Sequence, residues 1–260
     1  MSFTRQLVAR GHVVGGGREP LVCVPLVGRG ADEILEAARL ATQSGADLVE
    51  WRADYFDDVA DRAAVLAMAR GIRETIAGIP LIFTLRSEGE GGQPVSLTAT
   101  DFAGHCVAVC EAAIADFVDV EMSTAHENLG TVKAAALANG VGLILSHHDF
   151  EKTPDAATLF EIFSRAERLG GDVAKVAVMP NSPDDVLTLL TATRRAWREL
   201  HIPLIGISMG DYGVVTRVTG WLFGSSVTFA AGEGSSAPGQ MPVGDLNRVL
   251  GVLRRSVGGG

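Results

Sequence analysis

A single lysine interrupts one of the most apolar stretches of the chain. Lys175 stands in the run VAKVAV (173–178), where all its neighbours are aliphatic. If the run is a strand of a parallel sheet covered on both faces, alternation places Lys175 and Ala177 together on one face. Burial lowers the pKa of an ammonium group toward the neutral amine, which attacks carbonyl carbon. The run therefore predicts a Schiff-base lysine; the alternative is a structural lysine paired with a buried carboxylate such as Glu50 or Glu121.

Two adjacent histidines end the apolar run that precedes this lysine in the chain. His147 and His148 follow VGLILS directly, at a position where a general base is often mounted. Because adjacent strand residues face opposite ways, only one of them is expected to face the lysine, and the pattern alone does not choose between them. The alternative is a polar turn or cap before Thr153. A metal site is not expected, because no carboxylate or third histidine stands at a ligand spacing.

Three arginines follow or end other apolar runs. Arg52 ends VEWR two residues after Glu50, which puts both side chains on the same side of the pleat. Arg86 opens a glycine-rich loop that carries Glu90, and Arg217 comes from a third unit. Arginine binds carboxylates in a bidentate manner, so the group predicts an anionic, hydroxylated substrate. Surface ion pairs are the alternative for each arginine taken alone.

Eight short β-branched runs must position these residues. Each is followed by a stretch rich in Ala, Leu, Glu and Arg with helical spacing, which is typical of βα units. Eight such units in about 250 residues predict an α/β fold, the closed (β/α)₈ TIM barrel, whose active site lies at the carboxyl ends of the strands. The predicted strands begin at Leu21, Asp47, Pro80, Asp116, Val141, Asp172, Pro203 and Ser226.

The whole chain is predicted to be one domain (1–260). Residues 1–20 are expected to form a β-hairpin that turns at Gly15–Gly17 and closes the bottom of the barrel. The barrel is assigned to 21–254 and a flexible tail to 255–260. Two segments rich in Gly, Ser and Pro, 87–100 and 232–242, are expected to be mobile over the active site.

The composition narrows the class of partner. A formal net charge of −9 and no dense block of Lys or Arg predict no nucleic acid and no anionic membrane surface as partner, which leaves a small molecule. The first twenty residues lack the apolar core of a signal peptide, and no apolar run is long enough for a membrane span. The three cysteines have apolar neighbours and are interpreted as reduced core residues. A cytoplasmic location is therefore expected.

Six segments of the chain resemble those of type I 3-dehydroquinate dehydratases, in order from about Cys23 to Leu250. They are VEWRAD, FTLRSEGEGG, SHHDF, KVAVMP, SMGDYGVVTR and SSAPGQ. The resemblance implies a TIM barrel, usually a homodimer, that dehydrates 3-dehydroquinate to 3-dehydroshikimate without a metal or organic cofactor. This reaction is the third step of chorismate and aromatic amino acid biosynthesis.

The resemblance also implies roles for individual residues. Lys175 corresponds to the Schiff-base lysine, His148 rather than His147 to the general acid/base, and Glu90 to the residue that orients that histidine. The remaining matched residues are implied to bind substrate or order the site: Glu50, Arg52, Arg86, Arg217, Ser236, Gln240 and Met209.

Two positions depart from the family pattern, and two other functions remain open. Asp211 stands where members often carry a different, sometimes basic residue, and His147 could perturb the titration of His148. A class I aldolase also uses a barrel lysine but usually needs a phosphate site. A non-catalytic homologue that binds a sugar acid as a sensor is the second alternative.

Overall fold

The computed structural model describes residues 6–16, 19–232, 234 and 236–257. Eight parallel strands run in the order β10-β3-β4-β5-β6-β7-β8-β9, and a parallel bridge between Leu204 and Ser225 brings the first and last strands together. This confirms the predicted (β/α)₈ barrel and all eight predicted strands. The strands are β1 (Leu7–Ala9), β2 (His12–Val14), β3 (Leu21–Leu26), β4 (Leu48–Arg52), β5 (Leu81–Thr84), β6 (Phe117–Glu121), β7 (Gly142–Asp149), β8 (Val173–Val178), β9 (Leu204–Ser208) and β10 (Val227–Phe229).

Helices alternate with the barrel strands and cover their outer faces. A large apolar cluster that includes Val176 and Val178 of β8 fills the space between strands and helices, as the alternation of β8 predicts. No helix of the described residues is long and apolar enough to cross a membrane. The helices are α1 (Ala31–Gln43), α2 (Arg62–Ile76), α3 (Ala99–Glu111), α4 (His126–Asn139), α5 (Ala156–Arg168), α6 (Pro183–Glu199), α7 (Gly210–Thr219) and α8 (Val243–Val257).

Strands β1 and β2 pair antiparallel as a hairpin below the barrel. Val14 packs against the first residues of the barrel strands and so covers the bottom of the lumen. The turn was predicted at Gly15–Gly17, which is wrong: it lies at Arg10 and Gly11, both of which have positive φ (48° and 83°). Two successive positive φ values give the tight turn that matches the twist of a two-stranded hairpin. Gly17 lies outside the described residues.

The carboxyl end of the chain differs from the expected flexible tail. Helix α8 continues to Val257, so residues 255–257 form its last turn, and 258–260 lie outside the described residues. Leu246 and Leu250 on its inner face are fully buried, which anchors the helix against the barrel.

The lumen changes from apolar to charged along its axis. At the bottom, the opening residues of the strands, such as Leu48, Phe117 and Val173, pack together. Two residues further along the strands, inward positions carry polar groups, among them Glu50 of β4 and Lys175 of β8. Because inward positions recur every second residue, this change falls at one level of the barrel. The apolar layer beneath separates the charged groups from water on that side.

Candidate active site

Lys175 lies inside the lumen as the cation of a buried ion-pair cluster. Its Nζ is 2.8 Å from Asp119 Oδ2 and 3.0 Å from Glu50 Oε1, and it lies 4.7 Å from the ring centre of Phe229. Burial alone lowers the pKa of Lys175, but attraction to Asp119 and Glu50 outweighs it, and the pKa is raised above its ordinary value. The pKa of Lys175 could not be predicted from the sequence; with two carboxylates within 3.0 Å of its Nζ, Lys175 is an ammonium ion in the free protein. Of the two carboxylates that sequence analysis considered as partners, Glu50 contacts Lys175, whereas Glu121 pairs with Arg86, and Asp119 is the second partner of the lysine.

Asp119 joins the lysine to a buried arginine. Its Oδ1 accepts hydrogen bonds from Arg86 Nη2 at 2.7 Å and from Ser146 Oγ at 2.6 Å, while Oδ2 faces Lys175. Burial favours the neutral acid, yet Arg86 and Lys175 together hold the pKa of Asp119 well below its ordinary value. Sequence reasoning missed this residue. The signal was present, because Asp119 interrupts FVDVE as Lys175 interrupts VAKVAV.

His148 faces the same cavity and is held by Glu90. Its Nδ1 lies 2.9 Å from Glu90 Oε2, and its backbone N–H donates to the same oxygen at 3.0 Å. Burial, with the positive charges of Arg86 and Lys175, lowers the pKa of His148 well below its ordinary value. The imidazole is thus neutral at pH 7, and its contact with Glu90 through Nδ1 leaves Nε2 able to accept a proton.

The carboxyl group of Glu90 has a raised pKa. Burial and the nearby carboxylate of Glu121 raise the pKa of Glu90 to about 7. His147 lies outside this group: it is half-buried, it does not line the cavity, and its charged neighbours are Asp149 and Arg165. The structure therefore places His148 with Lys175 and turns His147 away. Asp211 also lies away from the cavity, exposed in the first turn of α7.

The loop that carries Glu90 depends on two glycines. Gly91 has φ +85°, and a Cβ there would lie 2.3 Å from the ring of Phe150. A Cβ on Gly92 would lie 2.1 Å from the backbone oxygen of Arg86. The Gly92 contact is with backbone and cannot be relieved without moving the loop, and the positive φ of Gly91 is one that other residues rarely adopt. These two constraints explain the glycines of SEGEGG in the loop that places Glu90 beside His148.

Arg217 is a buried cation that has no carboxylate partner among the residues that the structure describes. It is 2% exposed, its Nη2 donates to the backbone oxygen of Pro238 at 3.2 Å, and its Nε has no hydrogen-bond partner within the described residues. Burial lowers the pKa of Arg217 to about 10, so it stays charged at pH 7. A buried guanidinium with an unused donor is costly unless an anion completes its contacts. Arg217 thus provides an anion-binding position in the cavity.

The segment after β10 covers the cavity from above. Ser236 N–H donates to Gln240 Oε1 at 3.1 Å, and Gln240 Nε2 donates back to Ser236 Oγ at 3.2 Å. Arg52 Nη1 reaches the backbone oxygen of Ser236 at 3.5 Å. The remaining cavity has a volume of about 40 Å³, which suits a few water molecules and not a six-membered ring acid. A substrate of that size therefore needs more room than the lining residues leave in this structure.

The structure brings all ten predicted site residues to one cavity. Apart from Met209, sequence reasoning missed its apolar lining, which also includes Phe150, Ile207 and Phe229. These residues gave no signal, because an apolar side chain in a barrel strand is equally typical of the core. No cluster of His, Cys, Asp and Glu suited to a metal ion occurs among the residues that the structure describes. The ten are Lys175, His148, Glu90, Glu50, Arg52, Arg86, Arg217, Ser236, Gln240 and Met209.

Comparison with known proteins gives one consistent result. Residues 22–256 match the family model of type I 3-dehydroquinase. The 3-dehydroquinate dehydratases of Albidiferax ferrireducens and Aromatoleum aromaticum are 46% and 44% identical to the chain; the alignments cover all of the chain and 98% and 100% of those proteins. The crystal structure of the Geobacillus kaustophilus enzyme has a TM-score of 0.94 at 44% identity, with 98% of both chains covered. A Clostridium difficile type I enzyme, solved with covalently modified comenic acid, has a TM-score of 0.93 at 34% identity, with 97% of this chain and 99% of that one covered.

Proposed function

The chain belongs to the type I 3-dehydroquinase family, and on that premise we propose that it converts 3-dehydroquinate to 3-dehydroshikimate and water through an imine on Lys175. His148 acts as the general acid/base, and Glu90 orients it. The observation that carries the proposal is the joint placement of Lys175, the His148–Glu90 pair and Arg217 around one cavity. This is the third step of chorismate biosynthesis, which the family assignment supports.

Arg217 binds the substrate carboxylate. Within the described part of the chain it has no acidic partner, whereas Arg52 is paired with Asp54 and Arg86 with Asp119. A carboxylate at Arg217 replaces the backbone oxygen of Pro238 and fills the unused donor. Ser236 and Gln240 lie on the same side and complete the binding site. We expect the site to prefer a carboxylate to a phosphate. Arg217 is one arginine, and the other cations of the described cavity are already paired with carboxylates.

The nucleophile forms when the Lys175 ammonium ion gives up one proton. His148 is neutral and faces the same cavity, so it can take that proton directly or through water. The amine then adds to the ketone carbon, His148 returns the proton to the hydroxyl group of the carbinolamine, and water leaves to give an iminium ion. The iminium carries its positive charge where the ammonium was, between Glu50 and Asp119, so the pair of carboxylates stabilises it without rearrangement.

His148 then removes a proton from the carbon next to the iminium, which becomes an enamine. The enamine expels the β-hydroxyl group, which takes the proton from His148 and leaves as water. Water finally adds to the conjugated iminium and releases the product with the free lysine. Glu90 stabilises the imidazolium that forms in between, because its Oε2 faces Nδ1 at 2.9 Å.

Two measurements test this proposal on the purified protein. With 3-dehydroquinate, we expect an ultraviolet absorbance rise from a conjugated enone, and borohydride added during turnover should leave substrate mass on the Lys175 peptide. Lys175→Met should abolish both signals, and Lys152→Met, at an exposed position, should abolish neither. A label without enone formation would support the aldolase alternative. A folded protein that binds without a label or an absorbance change would support the sensor.

We further propose that the protein is a homodimer in the cytoplasm. Exposed apolar side chains on neighbouring helices support the dimer: Tyr212 and Val215 on α7, with Val249 and Val252 on α8. Light scattering after size-exclusion chromatography should give the mass of two chains, and Val252→Asp should give that of one. The three buried free cysteines support a reducing compartment, which cell fractionation would test.

A further inference from the structure

Asp54 is a buried carboxylate behind the catalytic cavity. It follows β4, its side chain is fully buried, and it does not line the cavity. Four donors converge on it. Oδ1 accepts from Arg52 Nε at 2.8 Å and from the backbone N–H of Arg86 at 3.4 Å; Oδ2 accepts from Arg52 Nη2 at 2.7 Å and from the backbone N–H of Gln93 at 3.0 Å. A residue that touches no substrate thus contacts two parts of the site.

Two of the four donors belong to the ends of one loop. Residues 86–93 carry Glu90, and Asp54 holds the backbone at both ends of this segment. From the other side, Glu121 accepts from the backbone N–H of Ser87 at 2.8 Å and from its hydroxyl at 2.7 Å. The loop is therefore held between two carboxylates. Since Glu90 contacts His148 through one oxygen at 2.9 Å, a small movement of the loop changes that contact.

The other two donors belong to Arg52. The bidentate pair uses Nε and part of Nη2, which leaves Nη1 directed toward the covering segment at Ser236. Arg52 Nη2 also reaches the backbone oxygen of Gly91 at 3.4 Å, in the loop that Asp54 holds. The carboxylate thus fixes the orientation of an arginine that contacts both the Glu90 loop and the covering segment.

We propose that Asp54 is a positioning residue that couples substrate binding through Arg52 to the pose of the general base through Glu90. The inference rests on the proposed function. An Asn side chain cannot replace Asp54. It has one acceptor oxygen for the four donors, and its NH₂ group would face the N–H groups that now donate to the second carboxylate oxygen. The buried Arg52 would also lose its counter-charge.

Asp54→Asn should lower kcat/KM on the order of 100-fold, with a raised KM and a lowered kcat, since charged hydrogen bonds are lost at two places. Rates are expressed per active site, counted by borohydride trapping of 3-dehydroquinate. Asp58→Asn is the matched control: Asp58 is exposed in the same connection, and its variant should stay within about twofold of the parent. Asp54→Glu keeps the buried charge but displaces the four contacts, so it replaces Asp54→Asn if the latter does not fold.

Two readouts separate positioning from a merely structural role. The limb of the kcat/KM pH profile near pH 7, which reports Glu90, should move in Asp54→Asn and stay in Asp58→Asn. Asp54→Asn should also lower kcat further in an Arg52→Gln background. A lower melting temperature with unchanged kcat/KM and pH profile per active site would overturn the inference. If Arg52→Gln and the double variant Arg52→Gln/Asp54→Asn had the same kcat and the same pH profile, the coupling to Glu90 would be overturned. Absence of turnover in the parent protein would instead overturn the proposed function.

Discussion

Replacing Lys175 by Met tests whether the lysine is charged in the free protein. Methionine fills a similar volume, so it removes the cation without opening a large cavity. Two buried carboxylates then share one cation fewer. Asp119 keeps Arg86 at 2.7 Å, whereas the contact of Glu50 that remains is with the hydroxyl of Thr84 at 3.0 Å. The buried pair of Glu50 and Asp119 must therefore take up a proton or remain with an uncompensated charge.

The free energy of protonating one buried carboxylate sets the size of the expected loss in stability. Placing a proton on a carboxyl group of ordinary pKa near 4 costs about 4 kcal/mol at pH 7, since one pKa unit corresponds to about 1.4 kcal/mol. Removal of one partner from a buried pair costs about 3–5 kcal/mol, which agrees. We expect the free energy of unfolding at pH 7 to fall by about 3–4 kcal/mol. If Lys175 were an uncharged amine, Lys175→Met would change the free energy of unfolding only slightly.

The destabilisation by Lys175→Met should depend on pH, and its direction can be worked out. In the variant, the folded state holds a proton at this pair that the unfolded state does not, so the destabilisation decreases by about 1.4 kcal/mol for each pH unit between 7 and 5. In the parent protein, the lowered pKa of Asp119 and the raised pKa of Lys175 leave both groups charged in this window, so their contribution is constant. The titration of Glu90 occurs in both proteins and cancels in the difference.

Urea unfolding followed by tryptophan fluorescence measures the effect, because Trp51 is fully buried. Lys152→Met, at an exposed position, should change the free energy of unfolding by less than about 0.5 kcal/mol. Lys175→Met combined with Glu50→Gln should recover most of the loss. A Lys175→Met protein as stable as the parent at pH 7, or equally destabilised at pH 5 and 7, would refute an ammonium ion at this position.

Three further outcomes are expected. Glu90→Gln should remove the rise in kcat/KM through about pH 7, because only the ionised carboxylate of Glu90 places a negative charge beside the imidazolium and its pKa is raised to about 7; a profile that keeps this limb would assign it elsewhere. Gly91→Ala should lower kcat/KM by about tenfold or more, since its Cβ would meet the ring of Phe150, whereas Gly130→Ala in α4, with open space around it, should stabilise the protein by about 0.5–1 kcal/mol in urea unfolding. None of the three cysteines should react with a disulfide reagent at pH 8 in the folded state, because burial raises their pKa values, and all three should react in urea.

The strands and the main site residues could be predicted because they break local patterns. A lysine in VAKVAV and an arginine after each of several apolar runs are unusual in buried strands, and the barrel brings strand ends together whatever the loops do. The charge of Lys175 could not be predicted, because its pKa depends on two carboxylates 56 and 125 positions away in the sequence. Only the closed sheet places Asp119 and Glu50 beside it.

Other features depend on backbone geometry that spacing does not encode. The alternation of β7 allowed either His147 or His148 to face the lumen, and the register with β8 decides it. The hairpin turn was misplaced because Arg10 adopts positive φ, which a run of glycines predicts far more strongly than an arginine does. The role of Asp54 could not be inferred either, since an acidic residue after a strand is more often solvated than a site for four donors.

The charges of the lumen determine where the proton is before the reaction begins. Burial beside Arg86 and Lys175 keeps His148 neutral, and Asp119 with Glu50 keeps the proton on Lys175. In the free protein the lysine is thus protonated and the neighbouring histidine is not. Transfer to His148 moves one positive charge within the cavity and leaves its total unchanged. In the proposed mechanism, the imidazolium compensates for the carbinolamine stage, at which the nitrogen is neutral, and iminium formation returns the charge to the carboxylates. A pair of fixed carboxylates can therefore serve the ammonium and the iminium equally, which explains why the nucleophile lies in an ion-pair cluster and not in an apolar pocket.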